Sequence, residues 1–212
     1  MRIYAVADLH GQPERLALIR KTVERVEPDV VVVAGDITNF RGAASVVGRI
    51  NELPVPVLGI RGNSDRPVVD RWLAAFSNVR CLDRVEVSVN GVRFVGAGGT
   101  VPVPFRSRIR LRERAVLDRL SHLLTPASVL VAHPPPWGTL DEVFGSRHAG
   151  SKGIARLVDR CQPAIMICGH IHERAGIARR ARTLVVNCNV AGGGAGALID
   201  YAPGARPEAH LL

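Results

Sequence analysis

Side chains that can bind metal ions recur along this sequence, each directly after a short apolar run. Asp8-Leu9-His10 follows the first run, and His170-Ile171-His172 follows a late one. The complete set of candidates is Asp8, His10, Asp36, Asn63, His133, His170 and His172. Nitrogen and oxygen donors without thiolates suit Mn, Fe, Zn or Ni better than a Cys-rich structural zinc. We therefore expect metal ions that take part in chemistry.

The position of these motifs carries more information than any one of them. Gly-Asp and Gly-Asn are ordinary turn dipeptides, so each alone is weak evidence. Ligands of open α/β sheets gather beyond the carboxyl ends of the strands, and every candidate here follows a strand-like run. Glycines next to several candidates allow sharp turns and close approach of a metal. We therefore predict that all seven converge on one sheet edge.

The elements that would position these residues alternate between strands and amphipathic helices. Strands are predicted over residues 3–7, 29–34, 55–60, 85–89, 92–95, 128–132 and 164–168, and helices over 13–26, 41–53, 106–124 and 151–160. Strand–helix–strand order favours a parallel sheet, whereas Asn90-Gly91 between two apolar runs predicts an antiparallel hairpin. Gly-rich closing strands are expected over 174–200. One mixed α/β domain over residues 1–212 follows.

Composition narrows the class of protein. The chain has 212 residues, 47% hydrophobic and 22% charged, which excludes disordered and collagen-like chains. A chain this long can bury a core without disulfides or a structural metal. The four cysteines form no C-x-x-C pair, and no stretch reaches the roughly 18 apolar residues of a spanning helix. We expect a soluble cytoplasmic protein with no membrane association.

The basic charge admits two interpretations. Lys and Arg number 28 against 19 acidic residues, for a net charge of +9. This excess favours anionic partners, yet a genome that encodes Arg in place of Lys would produce it too. The Arg-rich segment 106–114 is either a solvated helix start or a face that attracts anionic substrates or nucleic acid toward the cleft. Aromatic residues make up only 4%, so base-stacking platforms, and with them nucleic-acid binding, are not favoured.

The order of the motifs resembles that of the calcineurin-like metallophosphoesterases, in particular small single-domain prokaryotic members. The matching motifs are Asp8-Leu9-His10, Gly35-Asp36, Gly62-Asn63-Ser64-Asp65, His133 and Gly169-His170-Ile171-His172. The resemblance implies a four-layer α/β/β/α sandwich with two mixed β-sheets and two divalent metal ions. It implies that Asp8, His10, Asp36 and His172 hold one ion and Asp36, Asn63, His133 and His170 the other, so that Asp36 bridges them.

The implied reaction is hydrolysis of a small phosphate-ester substrate by in-line attack of a metal-bridging hydroxide. Many family members carry His where this chain has Ser64, and a serine hydroxyl is a poor general acid. We therefore expect phosphodiesters to be favoured over monoesters. Asp65 is expected to orient one of the metal-binding side chains without binding the metal itself. His148 is either a substrate contact or acid, or a solvated loop residue before a helix N-cap at Ser151.

Two other functions stay open at this point. One is a nuclease that uses the same metal ions and the Arg-rich segment. The other is a metal-binding, non-catalytic interaction or regulatory subunit. The sequence also leaves the oligomeric state open.

Overall fold

The computed structural model describes residues 1–99, 110–145 and 147–212. In these ranges the strands are β1 (Arg2–Val6), β2 (Val30–Ala34), β3 (Val57–Ile60), β4 (Val79–Cys81), β5 (Glu86–Val89), β6 (Val92–Ala97), β7 (Val129–Ala132), β8 (Glu142–Val143), β9 (Arg147–His148), β10 (Ile165–Cys168), β11 (Gly176–Arg180), β12 (Thr183–Asn187), β13 (Ala197–Asp200) and β14 (Glu208–Leu211). The helices are α1 (Pro13–Val26), α2 (Ala43–Asn51), α3 (Val68–Ala75), α4 (Arg110–Leu123) and α5 (Lys152–Cys161), with a 3-10 turn at His172–Arg174.

Two six-stranded mixed sheets form the centre of the fold. Their strand orders are β14-β13-β1-β2-β3-β4 and β11-β12-β10-β7-β6-β5. In the first sheet β1 to β4 are parallel, and in the second β6, β7, β10 and β12 are parallel. Antiparallel strands β13, β14, β5 and β11 flank them. The hairpin at Asn90-Gly91 is therefore confirmed, as β5 and β6.

Burial patterns show four layers. Alternate residues of β1, such as Ile3 and Ala5, pack in one cluster with Phe94 and Ile165 of the other sheet. The remaining residues of β1 face helices α1 and α2. Helices α4 and α5 cover the outer face of the second sheet. Central strands buried on both faces read as continuous apolar runs, which explains the four valines of β2. The predicted α/β/β/α sandwich is confirmed.

Several short elements differ from those predicted by the sequence pattern. Helix α3 has eight residues, β4 has three, and β14 closes the first sheet beyond the expected last strand. The expected loop around His148 is instead a two-stranded hairpin, β8–β9. The helix N-cap at Ser151 is confirmed, since its Oγ accepts a hydrogen bond from the Ile154 N–H at 3.1 Å. Cys168 and Cys188 are buried, and Cys81 and Cys161 are half-buried.

The predictions for the Arg-rich segment and for membrane-spanning helices can be compared with the structure only over the described residues. In the Arg-rich segment 106–114, residues 106–109 lie outside the described residues. The side chains of residues 110–114 are also outside the described part of the chain. Among the described residues, none of the helices combines the length and the apolar character that crossing a bilayer requires.

Candidate metal centre

Five strand ends deliver the predicted ligands to one edge of the two sheets. Asp8 and His10 follow β1, Asp36 follows β2, and Asn63 follows β3. His133 directly follows β7, and His170 and His172 follow β10. Backbone hydrogen bonds join the loops within each sheet, such as Asp8 N–H to the Gly35 carbonyl and Gly169 N–H to the His133 carbonyl, both at 3.0 Å, and Ala7 N–H donates to the Cys188 carbonyl of the other sheet at 3.1 Å. The loops of both sheets therefore form one surface.

Within the described residues, two groups of side chains have the geometry of a metal site. Asp8, His10 and His172 place their ligand atoms within 4.8 Å of one another, and so do Asp8, Asp36 and His133. The two oxygens of Asp36 face different histidines: Oδ1 lies 3.4 Å from His133 Nε2, and Oδ2 lies 3.9 Å from His10 Nε2. Asp8 therefore belongs to both groups, and the carboxylate of Asp36 lies between His133 of one group and His10 of the other.

The two remaining candidates lie against the same cluster. Asn63 Oδ1 is 3.1 Å from His133 Nε2. The His170 ring centroid is 5.1 Å from that of His133, and the backbone N–H of His170 donates to Asp8 Oδ2 at 2.9 Å. The structure therefore brings all seven predicted positions together.

The backbone is strained at these residues. Asp8, His10, Asp36 and His170 have φ values of 64°, 51°, 50° and 74°, in the left-handed region that non-glycine residues rarely adopt. Such conformations cost about 1–3 kcal/mol each and persist where the surroundings impose them, as at functional sites. These backbone conformations direct the four side chains toward the candidate site at a cost in stability.

Two glycines allow the carboxylates to approach the opposite loops. A Cβ atom on Gly62 would lie 2.2 Å from Asp36 Oδ1, and one on Gly169 would lie 2.5 Å from Asp8 Oδ2. Real Cβ atoms do not come this close to another atom. This steric requirement explains the glycine in the Gly-Asn and Gly-His motifs.

Asp65 ties the loops after β2 and β3 together. Its Oδ2 accepts hydrogen bonds from the backbone N–H groups of Ile37 and Gly62, at 3.0 and 2.9 Å. Its Oδ1 accepts the N–H and the hydroxyl of Thr38, at 2.7 and 2.8 Å. With 5% of its surface exposed, Asp65 is out of contact with bulk water. Asp65 thus fixes the loops that carry Asp36 and Asn63.

Ser64 also belongs to this network. Its N–H donates to Asp36 Oδ1 at 2.8 Å, and its hydroxyl donates to Asp36 Oδ2 at 2.9 Å. The side chain is buried, with 7% of the residue exposed. Many family members have His at this position, whereas Ser64 holds the Asp36 carboxylate in place here.

Burial and charge act in opposite directions on His133. Burial alone would lower its pKa, but the hydrogen bond and negative charge of Asp36 outweigh this effect and raise it to about 9. Burial would raise the pKa of Asp36, yet the hydrogen bond and charge of His133 and the bonds from Ser64 hold it well below its usual value. His133 Nδ1 lies 2.8 Å from the Ala34 carbonyl, which directs Nε2 toward the carboxylates.

The two histidines of the last motif differ in environment. Burial and the neighbouring charge of His133 lower the pKa of His170 to about 4. The hydrogen bond to Asp8, at 3.3 Å, raises the pKa of the more exposed His172. At His133, the neighbouring charge of Asp36 that favours binding of a proton also favours binding of a cation in its place.

Outside the seven positions, Asp141 is a further candidate that the sequence pattern did not indicate. This carboxylate is fully buried and its Oδ1 lies 2.8 Å from His148 Nδ1. The available signal was an Asp seven residues before the His, inside a segment read as a loop.

Comparisons with known proteins agree with this architecture. The family model described as calcineurin-like phosphoesterase matches residues 1–174. An uncharacterized protein of Methanocaldococcus jannaschii is 31% identical over 198 residues, covering 88% of this chain and 87% of its own length.

Solved structures with the same fold are more distant in sequence. The crystal structure of a dimetal phosphatase from Danio rerio has a TM-score of 0.69 at 14% identity, covering 100% of this chain and 95% of that one. A structure described as a novel archaeal phosphodiesterase has a TM-score of 0.60 at 13% identity, with both chains covered completely. The family model spans most of the chain and the relative exceeds 30% identity, and on this evidence the chain belongs to the calcineurin-like phosphoesterase family.

Proposed function

We propose that this chain hydrolyses phosphate esters with two divalent metal ions and that phosphodiesters are its favoured substrates. The observation that carries the proposal is the placement of Asp36 between two groups of histidines, 3.4 Å from His133 and 3.9 Å from His10. A carboxylate whose two oxygens face two sets of ligands suits a bridging position. The neutral side chain of Asn63 leaves the site with a net positive charge once two cations are bound, which favours an anionic ester.

The side chains at the seven predicted positions are suited to binding two divalent metal ions. Under the proposal Asp8, His10, Asp36 and His172 hold one ion, and Asp36, Asn63, His133 and His170 hold the other. Imidazole and carboxylate ligands without thiolate suit Mn, Fe, Zn or Ni, and we take manganese as the test ion. Bound ions of this kind would stabilise charge on the phosphoryl oxygens and lower the pKa of a coordinated water.

The preference for diesters rests on Ser64. Its hydroxyl donates to Asp36 and is buried, so this position offers no proton to the leaving group. A general acid contributes about 10²–10⁴ in rate, so with Ser64 in place of the usual His any proton for a poor leaving group has to come from elsewhere in the site, and activated diesters are the favoured substrates. Similarity to a dimetal phosphatase and to an archaeal phosphodiesterase supports the reaction class through the shared fold.

The test uses metal-stripped protein assayed with and without Mn²⁺. We expect Mn²⁺-dependent turnover of bis(p-nitrophenyl) phosphate, and slower turnover of p-nitrophenyl phosphate. Asp36→Asn should reduce turnover to background, whereas Asp159→Asn, a matched change at an exposed ion pair with Arg180, should retain it. Absence of metal-stimulated turnover would contradict the proposal and leave a metal-binding interaction subunit.

A further inference from the structure

The segment between His133 and α5 contains a carboxylate–imidazole pair outside the predicted ligand set. His148 Nδ1 lies 2.8 Å from Asp141 Oδ1, and the other oxygen of Asp141 accepts the Gly150 N–H at 3.0 Å. Asp141 is completely buried, while the side chain of His148 is 35% exposed. Because the carboxylate can only accept, Nδ1 carries a proton and Nε2 is directed away from Asp141.

The surrounding loop is built around this pair. The backbone N–H of Ala149 donates to the Asp141 carbonyl at 2.9 Å, and a Cβ on Gly150 would lie 2.8 Å from Asp141 Oδ2. The ring centroids of Trp137 and His148 are 5.1 Å apart, and the ammonium group of Lys152 lies 4.4 Å from the Trp137 ring centroid. The imidazole therefore has a fixed orientation, and its side chain is partly exposed.

Contacts with the 3-10 turn bring the hairpin that carries this pair next to the turn that carries His172. Glu142 is the cross-strand partner of His148, so both side chains project from one face of the hairpin. On that face Glu142 forms an ion pair with Arg174, in the same 3-10 turn as His172. Cα atoms of β8 and of this turn approach within 8 Å. Arg147, the adjacent residue in β9, projects from the opposite face.

The charged groups around His148 have identified partners. Asp141 is hydrogen-bonded to it, Glu142 lies opposite it and is paired with Arg174, and Lys152 is placed over Trp137. The imidazole of His148 is thus placed on this face of the hairpin as a group that can move a proton. Ser64 cannot do so, because its hydroxyl is committed to Asp36.

We propose, resting on the proposed function, that His148 is the general acid for the leaving group and that Asp141 is its positioning residue. As the attacking hydroxide oxygen bonds to phosphorus, the bond from phosphorus to the ester oxygen breaks and its electron pair stays on that oxygen. The Nε2 proton of His148 transfers to the ester oxygen, which leaves as an alcohol. The neutral imidazole then takes a proton from water, and Asp141 keeps the ring oriented throughout.

The experiment compares two substrates that differ only in the leaving group. Ethyl p-nitrophenyl phosphate releases a stabilised phenolate that needs little help from an acid, and ethyl phenyl phosphate releases a poor leaving group. For His148→Gln we expect a loss of about 10²–10⁴ in kcat/KM on the phenyl ester, but less than about tenfold on the nitrophenyl ester. Asp141→Asn should shift the ratio of the two rates in the same direction by a smaller factor. His122→Gln, at an exposed helical histidine, is the matched control and should leave both rates unchanged.

Three outcomes would overturn this role. Equal loss on both esters would indicate a structural or binding role for His148, and unchanged rates on both would indicate none. Loss of Mn²⁺ binding in His148→Gln, measured by elemental analysis, would show that the residue acts through the metal centre. If the unmodified protein hydrolyses neither ester, the proposed function itself fails, which the wild-type assay separates from failure of the His148 assignment.

Discussion

Replacement of Asp65 by Asn removes a charge from the junction of the two loops that carry Asp36 and Asn63. Each oxygen of Asp65 accepts two hydrogen bonds, from Ile37 and Gly62 at Oδ2 and from Thr38 at Oδ1. An amide has only one oxygen, so in either orientation two of the four bonds are lost. Hydrogen bonds to a charged group contribute about 1.5–3 kcal/mol each. We therefore expect the free energy of unfolding to fall by about 3–6 kcal/mol.

The assay is urea unfolding of the metal-free protein, with the free energy obtained by linear extrapolation. Two variants provide a scale for this loss. Thr38→Val removes one of the four bonds, the hydroxyl to Oδ1 at 2.8 Å, and should give an intermediate loss. Asp159→Asn breaks an exposed ion pair with Arg180 and should cost at most about 1 kcal/mol.

The same substitution should weaken Mn²⁺ binding by about 10–100-fold, because groups that orient metal ligands typically have effects of this size. A loss of stability no larger than that of Asp159→Asn would refute the reasoning. It would mean that Asp65 does not hold the two loops together.

Three further predictions concern the metal centre. Gly62→Ala should abolish tight Mn²⁺ binding, since its Cβ would lie 2.2 Å from Asp36 Oδ1; unchanged affinity in a calorimetric titration would contradict this steric account. Ser64→Ala should weaken Mn²⁺ binding about tenfold while it changes the unfolding free energy by about 1 kcal/mol, and an unaffected affinity would show that its hydroxyl does not orient Asp36. The pKa of His133 is raised by Asp36 to about 9, above the unfolded value of about 6.5, so while Asp36 is ionised the stability from protonated His133 is fully present below about pH 6.5 and is lost as pH rises through about 9. A metal ligand must be deprotonated, so the affinity for Mn²⁺ should rise up to about tenfold per pH unit over this range and then level off, and a pH-independent affinity would count against the assignment.

The layers of the fold could be predicted because apolar runs and turn residues in the sequence specify the main strands and helices. The four valines of β2 can only belong to a strand buried on both faces, and Asn90-Gly91 selects a tight hairpin. Helix α3 was not predictable in the same way, because its eight residues offer little more than two turns of pattern. The two-residue strands β8 and β9 carry no periodic signal at all.

Convergence of the strand ends was also predictable, since parallel strands bring their carboxyl ends to one edge. The direction of individual side chains was not. Ser64 faces Asp36 because the loop after β3 turns back toward the loop after β2, through the four bonds of Asp65. Asp141 meets His148 because a hairpin returns the chain seven residues later. Such contacts depend on local turns whose geometry no residue pattern specifies.

Metal content measured together with metal position tests the central claim most directly. Crystals of the metal-loaded protein, examined by anomalous diffraction at the manganese edge, should show two ions about 3.5–4 Å apart, with Asp36 between them. All seven residues, from Asp8 to His172, should contact one ion or the other, and elemental analysis should find two Mn per chain. A single ion, ions elsewhere on the surface, or none at all would contradict the account.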